Sequence, residues 1–178
     1  PSHSLYKKKA IFYSSYLQDK IEYENMVINV GMRYDQFNPD DEYISDLVNP
    51  EGDRIKAENK NMYSPRFGIS FPITEKGIVH FSYGHFYQMP TLRNLYKRSI
   101  FGANRSPTVG YANLNPEKTV QYEFGLQQQL SQFIAFDMSV YYKDVRDLLA
   151  LQSISYDSPK YGPSSYSVYL NKDYAAVK

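Results

Sequence analysis

Among the side chains able to do covalent chemistry, His80, Ser82 and Asp137 come nearest to a hydrolytic set. A serine nucleophile needs a base at its hydroxyl and a sharp turn that lifts it clear of the backbone, and no Gly-x-Ser-x-Gly segment supplies that turn. His80 and His85 are five residues apart in a stretch of alternating polarity, so in a regular strand their rings leave opposite faces and cannot share a metal. The acidic run "NPDDEYISDLVNPEGD" could gather Ca²⁺, but it lacks the spacing of an EF-hand loop, and a solvated loop is the simpler reading. With no cysteine there is neither a thiolate metal site nor a disulfide framework. We therefore expect no enzyme activity, no metal and no cofactor. What remains is recognition. The segment "FYQMPTLRNLYKRSIFGANRSPTVGYANLNP" places Phe86, Tyr87, Arg93, Tyr96, Arg98, Arg105 and Tyr111 together as candidate ligand contacts, with Lys97 and Phe101 beside them. Aromatic faces next to guanidinium groups suit sugars, peptides and anionic chelates equally, and they also simply keep a loop soluble. A short helix over "TLRNLYKRSIF" would put Leu92, Leu95 and Tyr96 on one side.

The elements that must position these residues follow from a period of two. Six strands are expected: about Lys9 to Tyr23, Met26 to Phe37, Met62 to Phe71, one through Val79, Phe81 and Tyr83, Thr119 to Leu130, and one from Phe133 onward. In the second, Ile28, Val30, Met32 and Tyr34 share one face and Asn29, Gly31, Arg33 and Asp35 the other. The rest repeat the split, with Phe67, Ile69, Phe81, Phe124, Met138 and Val140 on the oily side. Arg33, Asp35, Arg66, Glu123, Asp137 and Lys143 all fall on the wet side. They read either as a cross-strand charge ladder or as contacts to a further domain or an anionic ligand.

Connections of Glu24-Asn25, Pro72 to Gly77 and Ser131-Gln132 are short, whereas Asn38 to Asn61, Met89 to Lys118 and the stretch after Leu149 are long. Because antiparallel strands reverse direction, the short turns share one edge of the sheet and the long loops the other, as in a transmembrane barrel. Several strands exceed the roughly 9–11 residues that cross a bilayer at a tilt. Tyr13, Tyr23, Tyr34, Tyr63, Tyr122 and Tyr142 lie near strand ends on the oily face, where an aromatic belt belongs. The chain has 178 residues with 19 Tyr and 10 Phe, a composition rich in strand formers. A net charge of +1 predicts no nucleic-acid partner. Asp19 is in phase with Leu17 and Ile21, so either a bulge shifts it or it sits at the membrane interface, which we favour. Lys7, Lys8 and Lys9 sit in the loop above the first strand, either to meet anionic lipopolysaccharide or as a solvated run. Asn104-Arg105-Ser106 is a chance sequon if the source is bacterial.

In order along the chain, "YLQDKIEY", "INVGMRYDQF", "SPRFGISFPI", "VHFSYGHFYQMP", "LNPEKTVQYEFGLQQQL" and "DMSVYYKDVRDLL" resemble successive barrel strands of TonB-dependent outer-membrane receptors. The Tyr- and Asn-rich style is similar to members with a carboxypeptidase-regulatory-like N-terminal domain. The resemblance implies an all-β, antiparallel up-and-down meander that is part of a transmembrane β-barrel, with about six strands and a seventh strand stub from Tyr169. Residues 1–178 would be a partial barrel, with the plug domain and the remaining strands absent and two sheet edges open. It further implies a Gram-negative outer membrane, partners in lipid, the receptor's own plug and TonB, and import of a large scarce ligand such as a siderophore, vitamin, glycan or peptide. A passive porin or adhesin barrel and a soluble antiparallel binding domain are the alternatives.

Overall fold

The structure is a computed structural model that describes residues 8–97 and 106–173. In chain order its elements are β1 (Ile11–Tyr23), β2 (Met26–Asn38), β3 (Glu42–Ile44), β4 (Arg54–Lys56), β5 (Lys60–Thr74), β6 (Gly77–Gln88), α1 (Leu92–Tyr96), β7 (Thr108–Val109), β8 (Glu117–Gln129), β9 (Ala135–Arg146), β10 (Leu148–Ser158) and β11 (Gly162–Lys172). The six long strands expected from the alternation are β1, β2, β5, β6, β8 and β9, hydrogen-bonded antiparallel in that order as one wall. β2, β5 and β6 run past their expected limits because cross-strand hydrogen bonds continue the ladder beyond the last alternating residue, while β8 starts two residues early and ends one early, and β1 and β9 each start two residues late.

The register fixes the faces. Asp19, Val30, Phe67, Tyr83, Tyr122 and Tyr142 form one row across the wall, and the next row in phase carries Leu17 and Met32. Pairing of β1 with β2 is unbroken from Ile11 to Tyr23, so no bulge turns Asp19 away. It stays on the oily face, four residues from the Tyr23 end. The one irregularity in the wall lies between Pro72 and Thr74, where proline cannot donate to the ladder. The turn there is narrower than the sequence suggests: Glu75 and Lys76 alone separate β5 from β6.

The core does not lie on the oily face. Leu17, Ile21, Val30, Met32, Phe124, Met138 and Val140 are all exposed, and Phe124 keeps 47% of its surface open. The buried clusters sit instead where the long loops fold over the wet face. Phe37 and Met62, both in phase with Arg33 and Arg66, pack against Leu95, Tyr96 and Leu114 of the loop that follows β6. At the same height on the other face Tyr63 is 58% exposed. The loops thus close over the polar side and leave the apolar side without a protein layer.

A second cluster, Ile44, Val109, Tyr156, Tyr166 and Val168, joins the β3–β4 hairpin, β7 and the β10–β11 hairpin into a cap. The stretch after Leu149, expected to be a loop, is this second hairpin, with eleven residues in each strand. Tyr169, expected to open a seventh wall strand, pairs with Leu151 inside β11, and residues 174–178 of that expected stub lie outside the described residues. Within the cap β7 pairs parallel to β11, a departure from the all-antiparallel meander that is confined to two residues.

Candidate functional site

On the inner wall, Arg33 and Asp35 form a bidentate pair, with Nε on Oδ2 and Nη2 on Oδ1, both at 2.8 Å. The partners are two residues apart on one strand. A cross-strand ladder does not form because the neighbours of Arg33 on β1 and β5 are Tyr16 and Ser64, so the nearest same-face carboxylate is along β2. The same logic sets Gln121 Nε2 on Glu123 at 3.1 Å and Lys143 Nζ over the Tyr141 ring at 5.1 Å. Asp137 is the exception, accepting from Gln127 across the strands at 2.9 Å. That contact also takes it away from Ser82 and His80, so the hydrolytic set is not assembled. The His80 ring lies flat on Gly125 and leaves no room there for a Cβ, while its Nε2 is 3.9 Å from Glu123. His85 leaves the opposite face and meets the Tyr83 hydroxyl at 2.6 Å.

Arg66 is placed differently. Its guanidinium stacks over Phe86 at 5.1 Å, and its neighbours in the row are Gly31 and Gly84. Together with Gln18, Asn29 and Gly68 it faces an open groove of about 270 Å³. Gly31 and Gly68 have ordinary or open space where a Cβ would stand, so nothing within the wall itself requires a glycine at either position.

Of the loop candidates, Phe86 is therefore an inner-wall residue under Arg66, and Tyr87 is half-buried against the Phe37–Met62 cluster with Lys118 Nζ 6.0 Å from its ring. Tyr96 is a core residue, 2% exposed, and its hydroxyl donates to the Pro39 carbonyl at 2.7 Å. Its ring is not presented to a ligand, because the five-residue helix needs both Leu95 and Tyr96 to seal against Phe37 and Met62, while Leu92 turns out to solvent. Tyr111 is half-buried with its ring edge-on to Tyr43 at 5.1 Å, and burial pushes its phenol up. Arg98 and Arg105 lie outside the described residues. Arg93 is exposed, and it lines a narrow cleft of about 160 Å³ with Asn94, Lys97, Thr108, Val109 and Tyr169. Of this cleft the sequence singles out only Arg93 and Lys97, whose four-residue spacing is visible there, whereas Tyr169 reads as the start of a strand.

Polar staples hold the cap to the wall. Asn171 Oδ1 accepts from the Asn115 backbone N–H at 2.8 Å, and its Nδ2 donates to the carbonyls of Asn115 and Asp147. Asp147 takes φ 57°, the bend between β9 and β10, and its carboxylate accepts from Asn115 Nδ2. Glu117 Oε1 accepts from the Leu149 N–H, so the Asn-Pro-Glu-Lys segment serves as a brace for the hairpin. Lys60, at the loop end of β5 beyond the span needed to cross a bilayer, donates to Asn113 Oδ1 at 2.8 Å. Burial pushes its ammonium down, opposed by Glu58 and Asp147. Lys8 binds Asp41 at 2.7 Å, which gives one of the three expected surface lysines a partner within the chain.

At the centre of the cap, Tyr166 is fully buried and donates to the Leu47 carbonyl at 2.7 Å. Burial first, then Asp46, pushes its pKa up to about 12 from 10. Between pH 10 and about 12 the unfolded chain gives up this proton and the folded cap does not, so stability falls with rising pH across that window and is fully retained below it. Tyr111 and Tyr156, shifted the same way, add to the effect. Ultraviolet titration of the phenols should show a late-ionising tyrosine that disappears in Tyr166→Phe. Cap loss setting in well below pH 10 would contradict this.

The family model described as "TonB dependent receptor-like, beta-barrel" matches residues 4–175. Among solved structures, a variant of the ferric enterobactin receptor of Pseudomonas aeruginosa aligns over 91% of this chain and 22% of its own, with TM-score 0.65 and 16% identity. The Serratia marcescens hemophore receptor, in complex with its hemophore and heme, aligns over 91% of this chain and 29% of its own, with TM-score 0.63 and 15% identity. A copper transporter, OprC, aligns over 93% and 25%, with TM-score 0.56 and 20% identity. At these identities the likeness is one of fold, and the chain spans less than a third of each relative. No curated protein sequence matches it at a significant level. With six wall strands, short turns on one edge, a folded cap on the other and a family match over almost its whole length, this chain belongs to the TonB-dependent receptor β-barrels.

Proposed function

We propose that residues 1–178 supply a barrel wall segment and part of the extracellular cap of a receptor in the outer membrane of a Gram-negative bacterium, which imports a large, scarce ligand with energy delivered through TonB. The observation that carries this is the position of the cores: they lie under loops folded over the polar face, while the apolar face stays bare for lipid. Further strands and a plug, supplied by chain outside this segment, complete the barrel in this reading. The open groove around Arg66, with glycines at Gly31 and Gly68 that the wall itself does not need, supports a plug against the inner face, since strand-interior glycines mark close approach by another backbone.

A passive porin would show the same wall, and its test is direct. The full-length receptor reconstituted in liposomes should not let small neutral sugars through in a swelling assay, and ligand uptake by cells should stop when TonB is depleted. Rapid swelling together with TonB-independent uptake would assign the chain to a passive channel.

A further inference from the structure

The cap cleft discriminates among ligand chemistries that the loop sequence leaves equal. Arg93 and Lys97 are four residues apart on α1 and its C-terminal cap and both line the cleft, and two like charges at that spacing cost stability when nothing neutralises them. Neither has a carboxylate partner among the described residues. The reason is already in the sequence. From Gln88 to Pro116 the chain contains Arg93, Lys97, Arg98 and Arg105 and no Asp or Glu, although the chain as a whole is near neutral. The neighbouring loop from Pro39 to Glu58 is rich in carboxylates, yet Asp41 is taken by Lys8 and none of its acids lines the cleft.

The frame is rigid. The Lys97 N–H donates to the Arg93 carbonyl at 3.1 Å, the Gly110 N–H donates to the Lys97 carbonyl at 2.7 Å, and the Tyr111 N–H donates to the Asn94 carbonyl at 2.8 Å. A side chain at Gly110 would collide with the backbone of Leu95 and Lys97, so glycine is what lets α1 press onto β7 and form the cleft wall. Asn94 and Tyr169 add a side-chain amide and a phenol beside the two cations.

We propose that this cleft is a subsite for an oxyanion of the ligand, a carboxylate or phosphate seated between Arg93 and Lys97 with Asn94 and Tyr169 at its edge. It rests on the reading of the cap as the receptor's outer, ligand-capturing surface. A cleft of about 160 Å³ admits one such group and not a whole large ligand, so the subsite orients an anionic arm while the bulk lies outside. An uncharged sugar chain would leave the two cations uncompensated and is disfavoured.

The test uses the purified full-length receptor with inorganic phosphate as probe and chloride at matched ionic strength as control. Phosphate should raise the melting temperature and slow acylation of Lys97 by an amine-reactive reagent, followed by peptide mass spectrometry. Arg93→Gln and Lys97→Gln should each weaken the apparent phosphate affinity roughly tenfold or more, as loss of one charge-assisted hydrogen bond implies. Arg93→Lys should restore part of it. Repeating the measurement with lipopolysaccharide in the detergent separates sources: displacement of phosphate by lipopolysaccharide assigns the oxyanion to lipid, and undisturbed phosphate binding assigns it to a soluble ligand. Equal responses to phosphate and chloride, or a phosphate response that survives Arg93→Gln, would overturn the subsite. Because the probe reads the cleft without transport, that failure is distinct from liposome swelling, which would sink the importer reading while leaving the cleft's anion binding measurable.

Discussion

Phe124→Arg should destabilise the membrane-inserted barrel by about 2–4 kcal/mol, the cost of a cation at the bilayer midplane of a β-barrel. Phe124 lies on the oily face in the middle of the stretch of β8 that crosses the membrane, beside Phe81 and Val140. The polar-face control is Ser70→Arg on β5, near the same depth beside His80, where the new cation stays out of hydrocarbon and the loss should be clearly smaller than that of Phe124→Arg. Urea titration of the full-length receptor in lipid vesicles measures both. The comparison carries the weight: a soluble sandwich covering the oily face would also reject arginine, but it would fold in water without lipid or detergent, which a lipid-covered wall cannot do. If the Phe124 variant were as stable as the serine variant, the oily face would not be in the membrane.

The asymmetry behind that prediction is what made the wall legible. Alternation over 12 or more residues survives small errors of register, because a slip of one would put every Phe and Val of a strand on the wet face. Thus Val30, Phe67, Phe81 and Phe124 were assigned to the correct side from sequence, and the unbroken β1–β2 register left Asp19 where its phase put it. The cap was less legible because its contacts are long-range in the chain. Tyr166 meets Leu47 from 119 residues away, and Tyr96 meets Pro39 from 57 away. Nothing local to Tyr96 distinguishes a tyrosine that packs against Phe37 from one offered to a ligand. Likewise "LLALQSISYDS" alternates as a strand does, but its polar residues are mostly Ser and Gln with a single charge at Asp157, and following the last wall strand it reads as loop.

The charged inner-wall residues show the converse limit. Their face was correct, yet partner choice depends on which residues the register brings opposite. Arg33 finds Tyr16 and Ser64 there and so turns to Asp35, and Arg66 finds two glycines and turns to Phe86. A same-strand pair such as Arg33–Asp35 holds its geometry without a neighbouring strand, so it is a feature of the wall alone. Arg66 and Lys143, each with its charge over an aromatic ring and no carboxylate partner among the described residues, are inner-wall cations left available to a partner.

Tyr166→Ala should cost the cap about 3–5 kcal/mol, the range for deleting a fully buried aromatic side chain, with loss of the hydrogen bond to Leu47 contributing about 1 kcal/mol of that. The ring is the point at which β3, β7, β10 and β11 meet: it stacks edge-on against Tyr156 at 5.8 Å and packs with Ile44, Val109 and Val168. Among the described residues no other element closes over the space left behind, because the β3–β4 hairpin has only three residues in each strand and reaches the cluster through Ile44. Tyr166→Phe keeps the ring and should lose only about 1 kcal/mol. The effect should also be local. Hydrogen exchange on the full-length receptor should show β10, β11 and the β3–β4 hairpin losing protection, while β2, β5, β6 and β8 keep theirs, since the wall is held by its own ladder and by lipid. Ligand capture should fall with cap protection, and membrane insertion should be unchanged. A Tyr166→Ala receptor whose wall strands lost protection together with the cap would show that the two fold as one cooperative unit, and that the cap is part of what holds the barrel.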